Sequence, residues 1–111
     1  MSMPSWRREP EATSGSFEGE EHGSEISLFV VDAAPGEGPR LHRHPYSETF
    51  VVQAGRGGFR LGDRTVEATA GDVVVVPAET PHGFKSLGPE RLELVAIHAA
   101  PRMETTWLEE A

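Results

Sequence analysis

The chain has 111 residues, with 12 glycines, 9 prolines, no cysteine and a formal charge of −8. That length supports one hydrophobic core, and turn formers spread along it favour many short strands over a helical bundle. The missing cysteines exclude disulfides, thiolate catalysis and cysteine-based metal sites. The dispersed basic residues argue against nucleic acid or an anionic membrane surface as partner.

Residues 1 to 24 are polar and weakly periodic, with Trp6 and Phe17 as large apolar anchors. They read as a loosely ordered arm whose Trp6 packs on the body of the fold or on a partner subunit. The N-terminus carries no apolar signal core, and the longest apolar run, Val73–Ala78, is too short for a bilayer span. A soluble cytoplasmic protein is therefore expected.

From residue 25 the pattern alternates with period two or forms short apolar runs bounded by turns. Ile26–Ala33 reads as a strand ended by the turn formers Pro35 and Gly36. Ser47–Ala54 is a second, running into a predicted tight turn at Gly55–Gly58 and a short strand from Phe59. Thr65–Thr69, the buried run at Val73, His82–Ser86 and the cleanly alternating Arg91–Ala99 follow. Met103–Ala111 reads as a short helix, although its acidic end opposes the helix dipole. Roughly eight or nine short strands without a crossover helix predict an all-β, antiparallel sandwich or barrel. The domain spans residues 25–101, flanked by the arm and by a tail at 102–111.

Two of the five histidines lie one residue apart, at His42 and His44. Residues i and i+2 of a strand share a face, so both rings point the same way and Arg43 points outward. Glu48 follows after a Pro45–Tyr46 interruption and reaches the same point if the chain bends there. It shares parity with Phe50 and Val52, and a carboxylate in such apolar company needs a compensating charge. His82 offers a fourth group. Imidazoles with one carboxylate suit divalent iron, manganese, cobalt, nickel or zinc. The residue types alone leave two readings open, a metal site or histidines with no shared ligand.

These residues resemble the cupin family. Its first motif, G-x5-H-x-H-x3-E-x6-G, is matched by Gly36, His42, His44, Glu48 and Gly55. Its second, G-x5-P-x-G-x2-H-x3-N, is matched by Gly71, Pro77 and His82, with Glu79 where glycine is usual and Ser86 where asparagine is usual. The departures put the local turn geometry in question, not the ligand set. The resemblance covers about residues 26–101. It implies a small jelly-roll β-barrel with a divalent metal inside, held by His42, His44, Glu48 and His82. It also implies a homodimer formed through strand exchange or sheet edges, with the arm and Trp6 lying on the partner.

Parity then nominates the surroundings. Arg40 shares the face of His42 and His44 and is a candidate to pair with a substrate carboxylate. Phe50 and Phe84 are expected to wall the pocket. Tyr46 beside the ligands, and His98 on the face of Leu92, Leu94 and Ala96, are candidate proton-handling groups, His98 otherwise being a satisfied core histidine. His22 is expected to be solvated. Three functional classes remain open for a small, anionic or enolate-like organic ligand. They are a metal-dependent oxygenase, a non-redox isomerase, cyclase or lyase, and a non-catalytic binding module.

Overall fold

The computed structural model describes residue 8 and residues 14–108. Ten strands run in chain order: β1 Gly15–Glu18, β2 Ser27–Ala33, β3 His42–Arg43, β4 Glu48–Ala54, β5 Arg56–Leu61, β6 Arg64–Thr69, β7 Val73–Val76, β8 His82–Ser86, β9 Leu92–His98 and β10 Thr106–Trp107. They form two five-stranded antiparallel sheets, ordered β1-β2-β9-β4-β7 and β10-β3-β8-β5-β6. Among the described residues no helix is long and apolar enough to cross a membrane.

Period-two patterning explains how the sheets face each other. In β4, Glu48, Phe50 and Val52 are buried while the residues between them are not. In β9 the buried set is Leu92, Leu94, Ala96 and His98. The register places Glu48 opposite His98, Phe50 opposite Ala96 and Val52 opposite Leu94, so the two inward rows are neighbours. In the second sheet, Phe59 of β5 pairs with Phe84 of β8. The rings of Phe50, Phe59 and Phe84 lie 5.1 to 5.5 Å apart, centre to centre, in tilted or edge-on contacts that join the sheets.

Three expectations change. Thr106 and Trp107 form a strand paired with Arg43 and His42, not a helix, and residues 109–111 lie outside the described residues. A β-branched and an aromatic residue suit a strand, and pairing across the sheet outweighs a weak helical tendency. The predicted turn at Gly55–Gly58 narrows to Gly55, in the left-handed region at φ 78°, and β5 starts at Arg56. A Cβ on Gly55 would collide with the Arg91 carbonyl oxygen, so the position demands glycine on two counts. Part of the expected arm, Gly15–Glu18, is an edge strand on β2, and His22 stacks on Phe17 with ring centres 4.6 Å apart. Trp6 lies outside the described residues.

The segment after β9 is fastened at both ends. Glu20 N–H donates to the Pro101 carbonyl, Arg102 forms an ion pair with Glu20, and Met103 N–H donates to Glu18. Leu108 N–H donates to the Leu41 carbonyl. The strap from 101 to 108 thus crosses one end of the sheets and lies against β3.

Glu79 occupies the left-handed region at φ 63°, at the motif position where glycine is usual. Its N–H donates to the His44 carbonyl at 2.7 Å, which ties the turn before His82 to the first motif. Its side chain is exposed and only 3.7 Å from Arg43, a contact of little net worth. A non-glycine residue in this region costs about 1–2 kcal/mol, more than glycine loses in chain entropy. Glu79→Gly should therefore stabilise the fold by about 0.5–1 kcal/mol, raising the melting temperature by about 2–6 °C. Thermal unfolding checks this; a fall in melting temperature would show that the turn is not strained.

Candidate metal centre

The four motif residues come together from both sheets. His42 and His82 are cross-strand neighbours in the second sheet, and Glu48 opens β4 in the first. His44 sits in the connector between them, past the end of β3. All four are buried, and one ligand atom from each lies within 4.8 Å of the others. Arg43 is exposed, as strand parity requires.

Each of the three imidazoles is oriented by a backbone carbonyl. His42 Nδ1 lies 2.7 Å from the Arg40 carbonyl, His44 Nδ1 2.7 Å from that of Glu104, and His82 Nδ1 2.8 Å from that of Thr80. A carbonyl oxygen only accepts, so Nδ1 carries the proton in all three rings. The neutral rings then direct an Nε2 lone pair towards the centre, the tautomer that metal-binding histidines use. Glu48 Oε1 lies 3.1 Å from His44 Nε2 and 2.9 Å from His82 Nε2. Lone pairs facing a carboxylate repel it unless a proton or a cation lies between them. His44 Nε2 is buried and makes no hydrogen bond. An inward donor set of three nitrogens and one carboxylate oxygen, one nitrogen of it unsatisfied, fits a divalent transition ion.

The electrostatics follow from burial and crowding. Burial drives the His42 pKa down to about 4, its neighbouring imidazoles adding to the effect, so this ring is neutral near pH 7. Burial also opposes a charge on His44, but the Glu48 carboxylate and the Glu104 carbonyl outweigh it and raise its pKa. Burial would push the Glu48 carboxyl up; His44, His82 and His98 together overcome that and hold it well below the usual carboxylate range. Glu48 is thus an anion.

His98, the expected core histidine or proton-handling group, is part of the centre's surroundings. Its Nε2 lies 3.0 Å from Glu48 Oε2, and its Nδ1 lies 2.7 Å from the Tyr46 hydroxyl. Tyr46 also accepts from Glu104 N–H at 3.1 Å, and burial raises its pKa. The two oxygens of Glu48 therefore face different groups, Oε1 the motif histidines and Oε2 His98.

A cavity of about 310 Å³ opens beside these residues. Phe84 lines it as expected, together with His42, His44, Glu48 and His98. Two expected pocket residues are placed elsewhere. Phe50 lies in the core behind the centre, its ring 6.2 Å from that of His82. Arg40 is exposed, its guanidinium 4.4 Å over the ring of Trp107, so it lines the outside of a wall and not the cavity. Parity failed for Arg40 because it precedes the two-residue strand β3. Sequence reasoning missed Trp107, whose ring centre lies 4.9 Å from that of His42, and Phe29, Val31 and Thr105, which also line the cavity. The alternation of Ile26–Ala33 could have flagged Phe29 and Val31 as sharing a face.

A family model described as a cupin domain matches residues 29–98. Among curated proteins, the chain is 37% identical over 68 residues to the polyketide synthase CurC of Streptomyces cyaneus, covering 60% of this chain and 44% of that protein. Among solved structures, it superposes with a TM-score of 0.75 on a conserved double-stranded β-helix protein of Klebsiella pneumoniae, at 22% identity over 94% of this chain and 86% of that one. It also superposes with a TM-score of 0.79 on the oxalate decarboxylase of Bacillus subtilis, a protein with Mn(II) centres, at 23% identity over 86% of this chain and 27% of that one. These structural likenesses establish the fold. The chain spans 17% of the length of a further relative, the mannose-1-phosphate guanylyltransferase 2 of Escherichia coli O157:H7.

The donor set makes a direct prediction. Protein loaded with Mn(II) or Co(II) and then desalted should retain close to one ion per chain by elemental analysis. His44→Ala and Glu48→Ala should each lower metal affinity by at least about a hundredfold, since one ligand or its charge is lost. Equal retention by wild type and both variants would remove these residues from the ligand set.

Proposed function

The chain belongs to the cupin family, and from that premise we propose that it is a metal-dependent enzyme acting on a small organic molecule, most simply an oxygenase. The observation that carries this reading is that three residues of the donor set, His42, His44 and Glu48, line an apolar cavity, with His82 buried directly behind them. Three neutral imidazoles and one carboxylate leave two positions of a six-coordinate ion for other ligands. A divalent ion held there supplies Lewis-acid or redox chemistry at those positions.

The protein's own residues have distinct parts in this reading. His42, His44 and His82 present preoriented Nε2 atoms, so no ring has to rotate or change tautomer to bind. His98, hydrogen-bonded to Tyr46 and 3.0 Å from Glu48 Oε2, faces that oxygen while Oε1 is turned to the histidines. Phe84, Trp107, Val31 and Phe29 supply an apolar wall that limits water and suits an apolar co-substrate such as dioxygen.

A second reading, a non-redox isomerase, cyclase or lyase, is favoured by one observation. His98 both lines the cavity and contacts Glu48, where a group that exchanges protons would act on a carbonyl or enediol. The likeness to a polyketide synthase supports it too, since polyketides are rich in carbonyl groups.

Oxygen uptake and product formation separate the two. Fe(II)-loaded protein with a panel of small enols, ketones and hydroxy acids should consume oxygen with at least one of them, and His44→Ala should abolish that uptake. Product formed equally well without oxygen, by protein loaded with Zn(II) or Mn(II), would replace the oxygenase reading with the non-redox one.

A further inference from the structure

We infer that the cavity selects an apolar, aromatic-sized molecule carrying one metal-binding head group, and rejects a molecule whose tail carries a second carboxylate. The inference rests on the metal-dependent reading above and names the substrate class for that same site. Four observations carry it.

The first is the wall. Phe29, Val31, Pro39, Phe84 and Trp107 line the cavity, and its volume of about 310 Å³ is at the low end of small-molecule sites, roughly 300–1,000 Å³. A single ring with a short chain fills such a space.

The second is charge. Among the described residues that line the cavity there is no lysine or arginine. A divalent ion with three neutral imidazoles and one carboxylate carries a net charge of about +1. That balances one carboxylate, alkoxide or enolate. A second carboxylate would enter an apolar space with no cation to meet it, at a cost that an apolar group does not incur.

The third is the commitment of Arg40. It is the cation that sequence parity would bring to a substrate carboxylate, but it stands over Trp107 on the outside of the wall. There it supports the ring face and does not reach the interior. The fourth is the net charge of the chain, −8, which lowers the local concentration of a dianion more than that of a monoanion.

Three acids with the same α-hydroxycarboxylate head test this: lactate, 3-phenyllactate and malate. They differ only in a hydrogen, a phenyl ring or a carboxylate on the third carbon. Each is titrated calorimetrically into Co(II)-loaded protein, with the visible spectrum of the bound cobalt as a second readout of head-group coordination. 3-Phenyllactate should bind at least about tenfold more tightly than lactate, and malate no more tightly than lactate. Trp107→Ala should reduce the phenyl advantage, the ratio of 3-phenyllactate to lactate affinity, several-fold. Phe29→Ala, at a half-exposed position, should do the same and covers the case in which the Trp107 variant does not fold. Malate binding more tightly than 3-phenyllactate, or a phenyl advantage that is absent in wild type or unmoved in both folded variants, would overturn the inference. A chain that takes up no cobalt would overturn the metal reading itself, and the inference with it.

Discussion

A carboxylate with two oxygens in contact with three imidazoles, almost wholly out of water, is the constraint around which this molecule is organised. Glu48 is 4% exposed, and His44, His82 and His98 approach it within 3.1 Å. An anion placed among Phe50, Val52 and Val76 is strongly disfavoured unless positive charge and hydrogen bonds surround it. The backbone meets part of that demand by fixing the imidazoles. The carbonyls of Arg40, Thr80 and Glu104 each hold one Nδ1 proton. Three segments distant in sequence are thereby committed to one tautomer and one orientation.

The two sheets serve this centre unequally. The first sheet contributes Glu48 and His98 as direct cross-strand neighbours, so the contact to Oε2 is built into the β4–β9 register. The second sheet contributes His42 and His82 through the single pairing between β3 and β8. The phenylalanine cluster of Phe50, Phe59 and Phe84 sets the distance between the sheets directly behind the centre. A slip of one residue in β4 would turn Glu48 outward and Thr49 inward, which the burial of Phe50 and Val52 on the same face prevents. Packing energy far larger than any one polar contact thus holds the register that the polar contacts need.

Much of the centre was legible in the sequence because strands make side-chain direction a matter of parity. His42 with His44, Glu48 with Phe50, and His98 with Leu94 follow from counting by two, and each pair is buried as counted. Most strands from Ser27 to His98 were legible for the same reason, with bounds shifted by a residue or so, but β5 begins at Arg56 and not at the expected Phe59. What stayed illegible depends on pairing between distant segments. Trp107 enters the cavity wall because β10 pairs with β3, more than 60 residues earlier, and nothing local in Thr106–Trp107 announces that partner. Arg40 lies just outside a two-residue strand, where parity no longer constrains direction. The exchange of glycine for Glu79 was visible as an anomaly, but only the backbone shows that it left the turn's left-handed conformation in place.

The strap at residues 101–108 has a further consequence for how the molecule comes into being. Translation proceeds from the N-terminus, and a domain's contacts form as their partners emerge. His42, His44 and Glu48 emerge early, His82 later, and the Glu104 carbonyl that fixes the His44 ring later still. Until that carbonyl arrives, His44 is free to rotate and to exchange tautomers, and the donor set is incomplete in geometry even when all four side chains have been made. The four residues that could hold an ion thus reach their final geometry only after the Glu104 carbonyl has emerged and docked on His44.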